Sequence, residues 1–200
     1  MEHTMAVKLS NFLLSNKIIP EEYYEVYVYG NELLLSFVFS TSIILIIGLL
    51  IDRFIQTLLF LLIFILVRRY TGGYHANTYF KCKLATVTTY LSVLTLSEYT
   101  SIKKIHIIVL LVVGLATIIS MGPIENPNKP ISAIQSKRNK ITGLVLFSLI
   151  LVFSGLLQNR QSTFSNSIFY SLLSIILLMI IAKIQCLFEN EGGEINEKAG

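Results

Sequence analysis

Apolar and polar positions alternate along this chain in long blocks. Six apolar runs cover residues 33–51, 54–67, 84–97, 105–121, 141–157 and 167–184, each closed by a polar or turn-forming joint. The run 33–51 carries no charge, and a helix of its length reaches roughly 28 Å, close to the thickness of bilayer hydrocarbon. Asp52-Arg53 interrupts it and predicts a tight helical hairpin into 54–67. That second run is short for a span; it is expected to thin the bilayer, lie obliquely, or borrow Ile51 and the flanking arginines. The run 84–97 is rich in Thr and Ser, too polar to face lipid on every side. It predicts a helix packed within a bundle, where small hydroxyl residues let neighbours approach. The strong run 105–121 is stopped by Gly122-Pro123-Ile124-Glu125-Asn126-Pro127-Asn128-Lys129-Pro130, whose three prolines end a helix decisively. A basic joint at 136–140 precedes 141–157, and a polar, acidic tail at 189–200 follows the last run.

The pattern predicts an all-α integral membrane protein with about six hydrophobic helical segments, in one unit covering 1–200. Four spans with two re-entrant segments is the alternative, because the second and third runs are short. Residues 1–31 mix apolar and polar positions. Pro20-Glu21-Glu22 reads as a helix start, with acids against the positive helix end. An amphipathic helix at the membrane surface is expected here, and an ordinary solvated helix fits equally.

Composition agrees with the membrane reading. The chain is 54% hydrophobic and 14% charged with a mean hydropathy of +0.68, whereas soluble domains carry roughly 25% charged residues. Trp is absent, so interfacial anchoring falls to ten Tyr and to Lys and Arg. The start, residues 1–10, lacks the regions of a secretory signal peptide. Two cysteines cannot build a disulfide framework, and the scattered His and Cys argue against structural zinc. No nucleotide-binding motif and no aromatic-basic nucleic-acid motif is present.

The net charge of +4 bears first on topology. With the N-terminus inside, the inner segments hold Lys8, Lys17, Arg68, Arg69, Lys81, Lys83, Lys129, Lys137, Arg138, Lys140 and Lys198; the outer loops hold Arg53, Lys103, Lys104 and Arg160. This is the asymmetry of the positive-inside rule. It predicts both termini, and the polar stretch 68–83, on the cytoplasmic side of a multi-pass membrane protein.

That polar stretch, Arg68-Arg69-Tyr70-Thr71-Gly72-Gly73-Tyr74-His75-Ala76-Asn77-Thr78-Tyr79-Phe80-Lys81-Cys82-Lys83, holds most of the candidate chemistry. A thiolate is a strong nucleophile, and a neighbouring imidazole can take its proton. Cys82 and His75 could form that pair, with Arg68, Arg69, Lys81 and Lys83 adding positive potential. Gly72-Gly73 would let backbone N–H groups approach a substrate carbonyl. Seven residues on a straight helix separate two side chains by about 10 Å, so a turn, a break or a rearrangement must bring His75 to Cys82. A cysteine in an apolar chain also reads as a small hydrophobe, and a histidine at an interface as a polar residue at a comfortable depth. Residue types alone leave both readings open. Cys186 has no histidine nearby in sequence, His106 falls on the outer side, and His3 is expected to be mobile. Glu32, Asn77, Glu125 and Asn126 are candidates to orient the imidazole. For Glu32, at the mouth of a span, a salt bridge to Arg68 or Arg69 explains the carboxylate equally well.

Taken together, Arg68, the Gly72-Gly73-x-His75-Ala76 block and Cys82 seven residues after the histidine resemble the signature of the accessory gene regulator B (AgrB) family. Tyr29-Gly30-x-Glu32 and the Pro- and Asn-rich loop ending in Lys129-Pro130 resemble two further family stretches, so the likeness covers nearly the whole chain. The resemblance implies a membrane cysteine endopeptidase of quorum sensing in a bacterial cell membrane, without cofactor or metal. It would act on a small AgrD-like propeptide with an amphipathic helix, a central cysteine and an acidic C-terminal tail. By position it implies Cys82 as nucleophile, His75 as base, and Arg68 and Gly73 as supporting residues. It implies tail removal through a thioester and closure of a thiolactone, and also a homodimer. Arg69, Lys81, Lys83, Lys129, Lys137, Arg138 and Lys140 could attract the acidic tail, although positive-inside topology explains the same charges. A non-enzymatic exporter or permease subunit is the alternative, and a receptor or structural partner is a third reading. The exporter would tolerate loss of Cys82, and the receptor loss of both Cys82 and His75.

Overall fold

The computed structural model describes residues 2–72, 79–124, 132–159 and 162–198. Its elements are α1 (Glu2–Ser15), a single 3-10 turn (Glu21–Tyr23), α2 (Tyr24–Leu50), α3 (Phe54–Thr71), α4 (Tyr79–Tyr99), α5 (Lys104–Met121), α6 (Ala133–Leu157) and α7 (Ser162–Lys198). Among the described residues five helices are long and apolar enough to cross a membrane: α2, α3, α5, α6 and the part of α7 from Thr163 to Cys186. The protein is an all-helical, multi-pass membrane protein.

Contacts between helix ends fix the directions of α2 to α7. The α2–α3 hairpin closes on Asp52, which takes a positive φ of 57°, and Arg53 N–H donates to Gly48 O at 2.9 Å. Arg53 also donates to Glu98 at 3.1 Å, so this hairpin and the C-terminal end of α4 share one end of the bundle. Asn166 donates to the Ser97 and Thr100 carbonyls at 3.1 and 2.6 Å, which brings the start of α7 there as well. Gln158, following α6, donates to Ile102 O, before α5. At the opposite end, Ile124 N–H donates to Thr71 O at 3.0 Å, so α5 finishes beside the end of α3. The six helices therefore run alternately up and down. We call the end holding Cys82 the near end and the end holding Arg53 and Glu98 the far end.

The core sits around α3 and α7. Half of the α7 span and 44% of α3 is buried, against 17–22% of α2, α5 and α6. Ile168, Leu172, Ile175, Ile176 and Met179 form the buried stripe of α7, and α3, α4, α5 and α6 all pack against that helix. Lipid is as apolar as leucine, so helix association here depends on close packing. Gly48 and Gly114 show it: an added Cβ would stand 2.1 Å from Thr57 Oγ1 and 2.2 Å from the Phe147 ring, respectively.

Helix ends differ from the sequence expectation at two places. In the N-terminal region α1 ends at Ser15, helical structure restarts at Glu21 after Pro20 as the sequence predicts, and α2 begins at Tyr24, nine residues before the apolar run at 33. Ser10 and Ala6 of α1 are buried, Asn31 donates to Ser10 at 2.9 Å and Tyr24 to Asn11 at 2.8 Å, so α1 packs on the polar start of α2. Further along, α3 does not stop with its apolar run at Val67. It continues through Arg68-Arg69-Tyr70-Thr71, and its 18 residues give roughly 27 Å, enough to cross.

The 84–97 run is helical as expected, within a longer α4. Its hydroxyls are satisfied inside the helix: Thr86, Thr89, Ser92 and Thr95 donate to the carbonyls four residues back at 2.7–2.9 Å. Such back-bonding lets a polar helix sit in an apolar bundle. α4 packs against α2, α3 and α7, and its buried Tyr90 shares a hydrogen bond of 2.7 Å with Thr57 of α3.

Candidate active site

Cys82 is the fourth residue of α4 and is half-buried. Arg68 lies one turn before the end of α3. Because α3 and α4 run in opposite directions, these positions come together, and the Arg68 guanidinium lies within electrostatic reach of the Cys82 side chain. Arg68 also stands 5.1 Å from the centroid of the Phe64 ring, which packs along its charged plane. A guanidinium in this partly buried setting needs such partners, since burying a charge unpaired is costly.

The end of α3 is built into the same corner. Gly72 has φ +72°, and its N–H donates to Arg68 O at 3.0 Å. The Gly122–Ile124 turn crosses directly over it. The segment carrying Arg68 and the proline-rich segment, separate in sequence, are thus joined through Thr71, Gly72 and Ile124.

The predicted cations divide among several environments. Arg69 is exposed, 5.9 Å from the centroid of the Tyr70 ring. Lys81 is exposed, and Lys83 is half-buried with its ammonium 5.9 Å from the centroid of Phe39 on α2. Lys137 and Arg138 are exposed and Lys140 half-buried in the first turns of α6. They lie at the near end, because Gly143 just beyond them packs against Thr71. His75, Gly73, Asn77, Glu125, Asn126 and Lys129 fall outside the described residues.

Glu32 makes an ion pair and hydrogen bond with His3. The terminal histidine, expected to be mobile, is therefore part of α1 and faces a carboxylate. His106 is at the far end, as expected: its Nδ1 accepts from Lys103 N–H at 3.0 Å and caps α5. Cys186 is an exposed free cysteine. Among the described residues no group of His, Cys, Asp and Glu could hold a metal.

Phe39, Thr71, Ile124 and Gly143 are neighbours of this corner that no sequence motif singles out. None carries reactive chemistry, and each enters through a contact between segments distant in sequence. A glycine paired with a second glycine at 72–73 was the one available signal, and it pointed to a turn without indicating what crosses it.

Comparison with known proteins places the chain. The family model described as Accessory gene regulator B matches residues 6–187. A putative AgrB-like protein of Clostridium perfringens (strain SM101 / Type A) is 26% identical over 158 residues, covering 73% of this chain and 74% of the relative. Putative AgrB-like protein 1 of Clostridium perfringens (strain 13 / Type A) is 26% identical over 171 residues, 83% of this chain and 86% of its own. The accessory gene regulator protein B of Staphylococcus carnosus (strain TM300) is 26% identical over 125 residues, 62% of this chain and 65% of its own. No solved structure matches. With the family model spanning nearly the whole chain, including α3, α4 and the turn after α5, this protein belongs to the accessory gene regulator B family.

Proposed function

We propose that this protein is a membrane cysteine endopeptidase that removes the acidic tail of an AgrD-like propeptide and promotes closure of its thiolactone. Family membership implies a role in processing the quorum-sensing peptide of the accessory gene regulator system. The observation that carries the finer reading is the contact between Arg68 and Cys82. It sets a fixed positive charge beside the proposed nucleophile, where negative charge builds up during attack.

In the reaction, His75 takes the Cys82 proton. The thiolate attacks the carbonyl carbon at the cleavage position. The C–N bond breaks, the tail leaves as an amine with the proton returned from His75, and an acyl thioester remains on Cys82. The propeptide's own cysteine, as thiolate, then attacks that thioester. Its new C–S bond closes the ring, and the C–S bond to Cys82 breaks, regenerating the thiolate. One thioester replaces another, so the exchange is nearly isoenergetic. Water would divert the intermediate to a linear acid, and a site among helix ends at a membrane surface limits its access.

Arg69, Lys81, Lys83, Lys129, Lys137, Arg138 and Lys140 supply the positive field for an acidic tail. Glu32, Gly73 and the homodimer belong to the same reading, as does a cytoplasmic near end. The test is reconstitution in liposomes with a synthetic propeptide of this chemistry and detection of the released tail by mass spectrometry. Loss of release in Cys82→Ala and His75→Ala, with release kept in Cys186→Ala, supports the reading. Undiminished release in Cys82→Ala overturns it. Peptide binding without release by the wild type favours the exporter or receptor readings.

A further inference from the structure

We infer that Thr71, Gly72, Ile124 and Gly143 form a lock that positions Arg68 against Cys82. The inference concerns the proposed nucleophile and rests on that reading for its meaning, although the lock itself can be tested without any propeptide.

The last turn of a helix leaves carbonyls unsatisfied and is prone to fray. Arg68 stands in the last turn of α3, so its reach to Cys82 depends on that turn being held. Three contacts hold it. The Thr71 carbonyl, one of the orphan acceptors, takes the Ile124 N–H at 3.0 Å. Gly72, at φ +72°, lies so close under the Ile124 backbone that an added Cβ would meet Ile124 O at 2.2 Å and Ile124 N at 2.8 Å. From the other side, α6 presses on the buried Thr71: a Cβ on Gly143 would lie 3.1 Å from Thr71 Cγ2. The Thr71 hydroxyl donates back to Val67 O at 3.1 Å, which keeps the side chain in the wall of α3. Gly72 N–H to Arg68 O then completes the turn that carries the guanidinium. α6 and the turn after α5 thus clamp a helix end that would otherwise be free. The four act as positioning residues, through Arg68.

The clash at Gly143 is small and side-chain-based, which gives a reversible test. In a Cys186→Ala background Cys82 is the sole thiol, and its rate of alkylation by iodoacetamide at neutral pH reads its reactivity beside Arg68. Gly143→Ala is expected to slow alkylation about threefold or more, as couplings between contacting residues commonly do. Adding Thr71→Ser removes the offending methyl and is expected to restore the rate. In an Arg68→Ala protein, Gly143→Ala is expected to change nothing further, because the lock acts through Arg68. A general loss of folding would instead add to the Arg68→Ala effect and would not be repaired by Thr71→Ser. Gly72→Ala, with both a backbone clash and an unfavourable φ, is expected to slow alkylation more strongly.

Wild-type alkylation in Gly143→Ala and in Gly72→Ala, failure of Thr71→Ser to restore the rate, or additivity with Arg68→Ala would each overturn the lock. If these rates behave as stated while the wild type releases no tail from the synthetic propeptide, the lock stands and the peptidase reading falls. If tail release follows Cys82 but alkylation ignores the lock, the reverse holds.

Discussion

The side chain of Arg68, near the end of α3, stands within electrostatic reach of that of Cys82, near the start of α4. The two residues are brought together by a change of helix direction. A sulfur held beside a guanidinium is a different chemical object from an isolated thiol in an apolar helix. Cys186, the other cysteine, is exposed on α7 and serves as the natural control.

Removing the guanidinium should therefore impair the thiol without unfolding the bundle. Arg68→Ala is expected to lower tail release roughly 10–100-fold, the scale on which removing one group that stabilises developing charge slows an enzyme. Arg68→Lys keeps the charge but loses the fixed fork of donors, so partial activity is expected. Steady-state release in liposomes, with folding checked by thermal melting in detergent, measures both. Wild-type rates in Arg68→Ala would mean that the contact has no chemical role.

The near end should face the cytoplasm. Lys137 and Lys103 are both exposed and lie at opposite ends of the bundle. In a cysteine-free background, Lys103→Cys is expected to react with a membrane-impermeant maleimide on intact cells. Lys137→Cys is expected to react only after permeabilisation. The opposite labelling pattern would invert the topology and place Cys82 outside.

Close packing predicts a stability effect remote from the site. Gly114→Ala sets a Cβ 2.2 Å from the Phe147 ring, and such overpacking costs about 1–3 kcal/mol. Its melting temperature should fall, and Phe147→Leu in the same protein should recover part of the loss. An unchanged melting temperature in Gly114→Ala would show that α5 and α6 separate easily.

A buried polar pair between α3 and α4 gives a further test. Thr57→Val leaves the Tyr90 hydroxyl without its 2.7 Å partner, and a stranded buried donor costs about 1–3 kcal/mol. Adding Tyr90→Phe removes the stranded group, so the double variant should be more stable than Thr57→Val alone. Thermal melting decides, and strict additivity would argue against the pair.

The order of helices was legible in the sequence because apolar runs and turn residues report on them directly. Asp52-Arg53 marked the hairpin and Gly122-Pro123 the end of α5, and both stand where expected. Helix ends were less legible. Arg68 and Arg69 end an apolar run, yet the backbone hydrogen bonds continue through them, so α3 is four residues longer than its hydropathy suggests. Tyr24 to Asn31 is helical for the converse reason: its side chains are too polar for a span but pack on α1. At the site, the residue types of Arg68 and Cys82 were legible as a motif. Their contact, and the Thr71–Ile124 bond that supports it, join segments whose distance in sequence gives no local pattern. His3 was misjudged for the same reason, since its partner Glu32 lies on another helix.

On the proposed mechanism Cys82 carries the peptide as a thioester. The direct measurement is the mass of the protein after brief mixing with a propeptide whose internal cysteine is replaced by serine, which slows the second step. A mass increase equal to the propeptide without its tail, reversible by hydroxylamine, located on the Cys82 peptide and absent in Cys82→Ala, is the expected result. Release of the tail with no adduct at Cys82 under any quench, or an adduct that persists in Cys82→Ala, would contradict it.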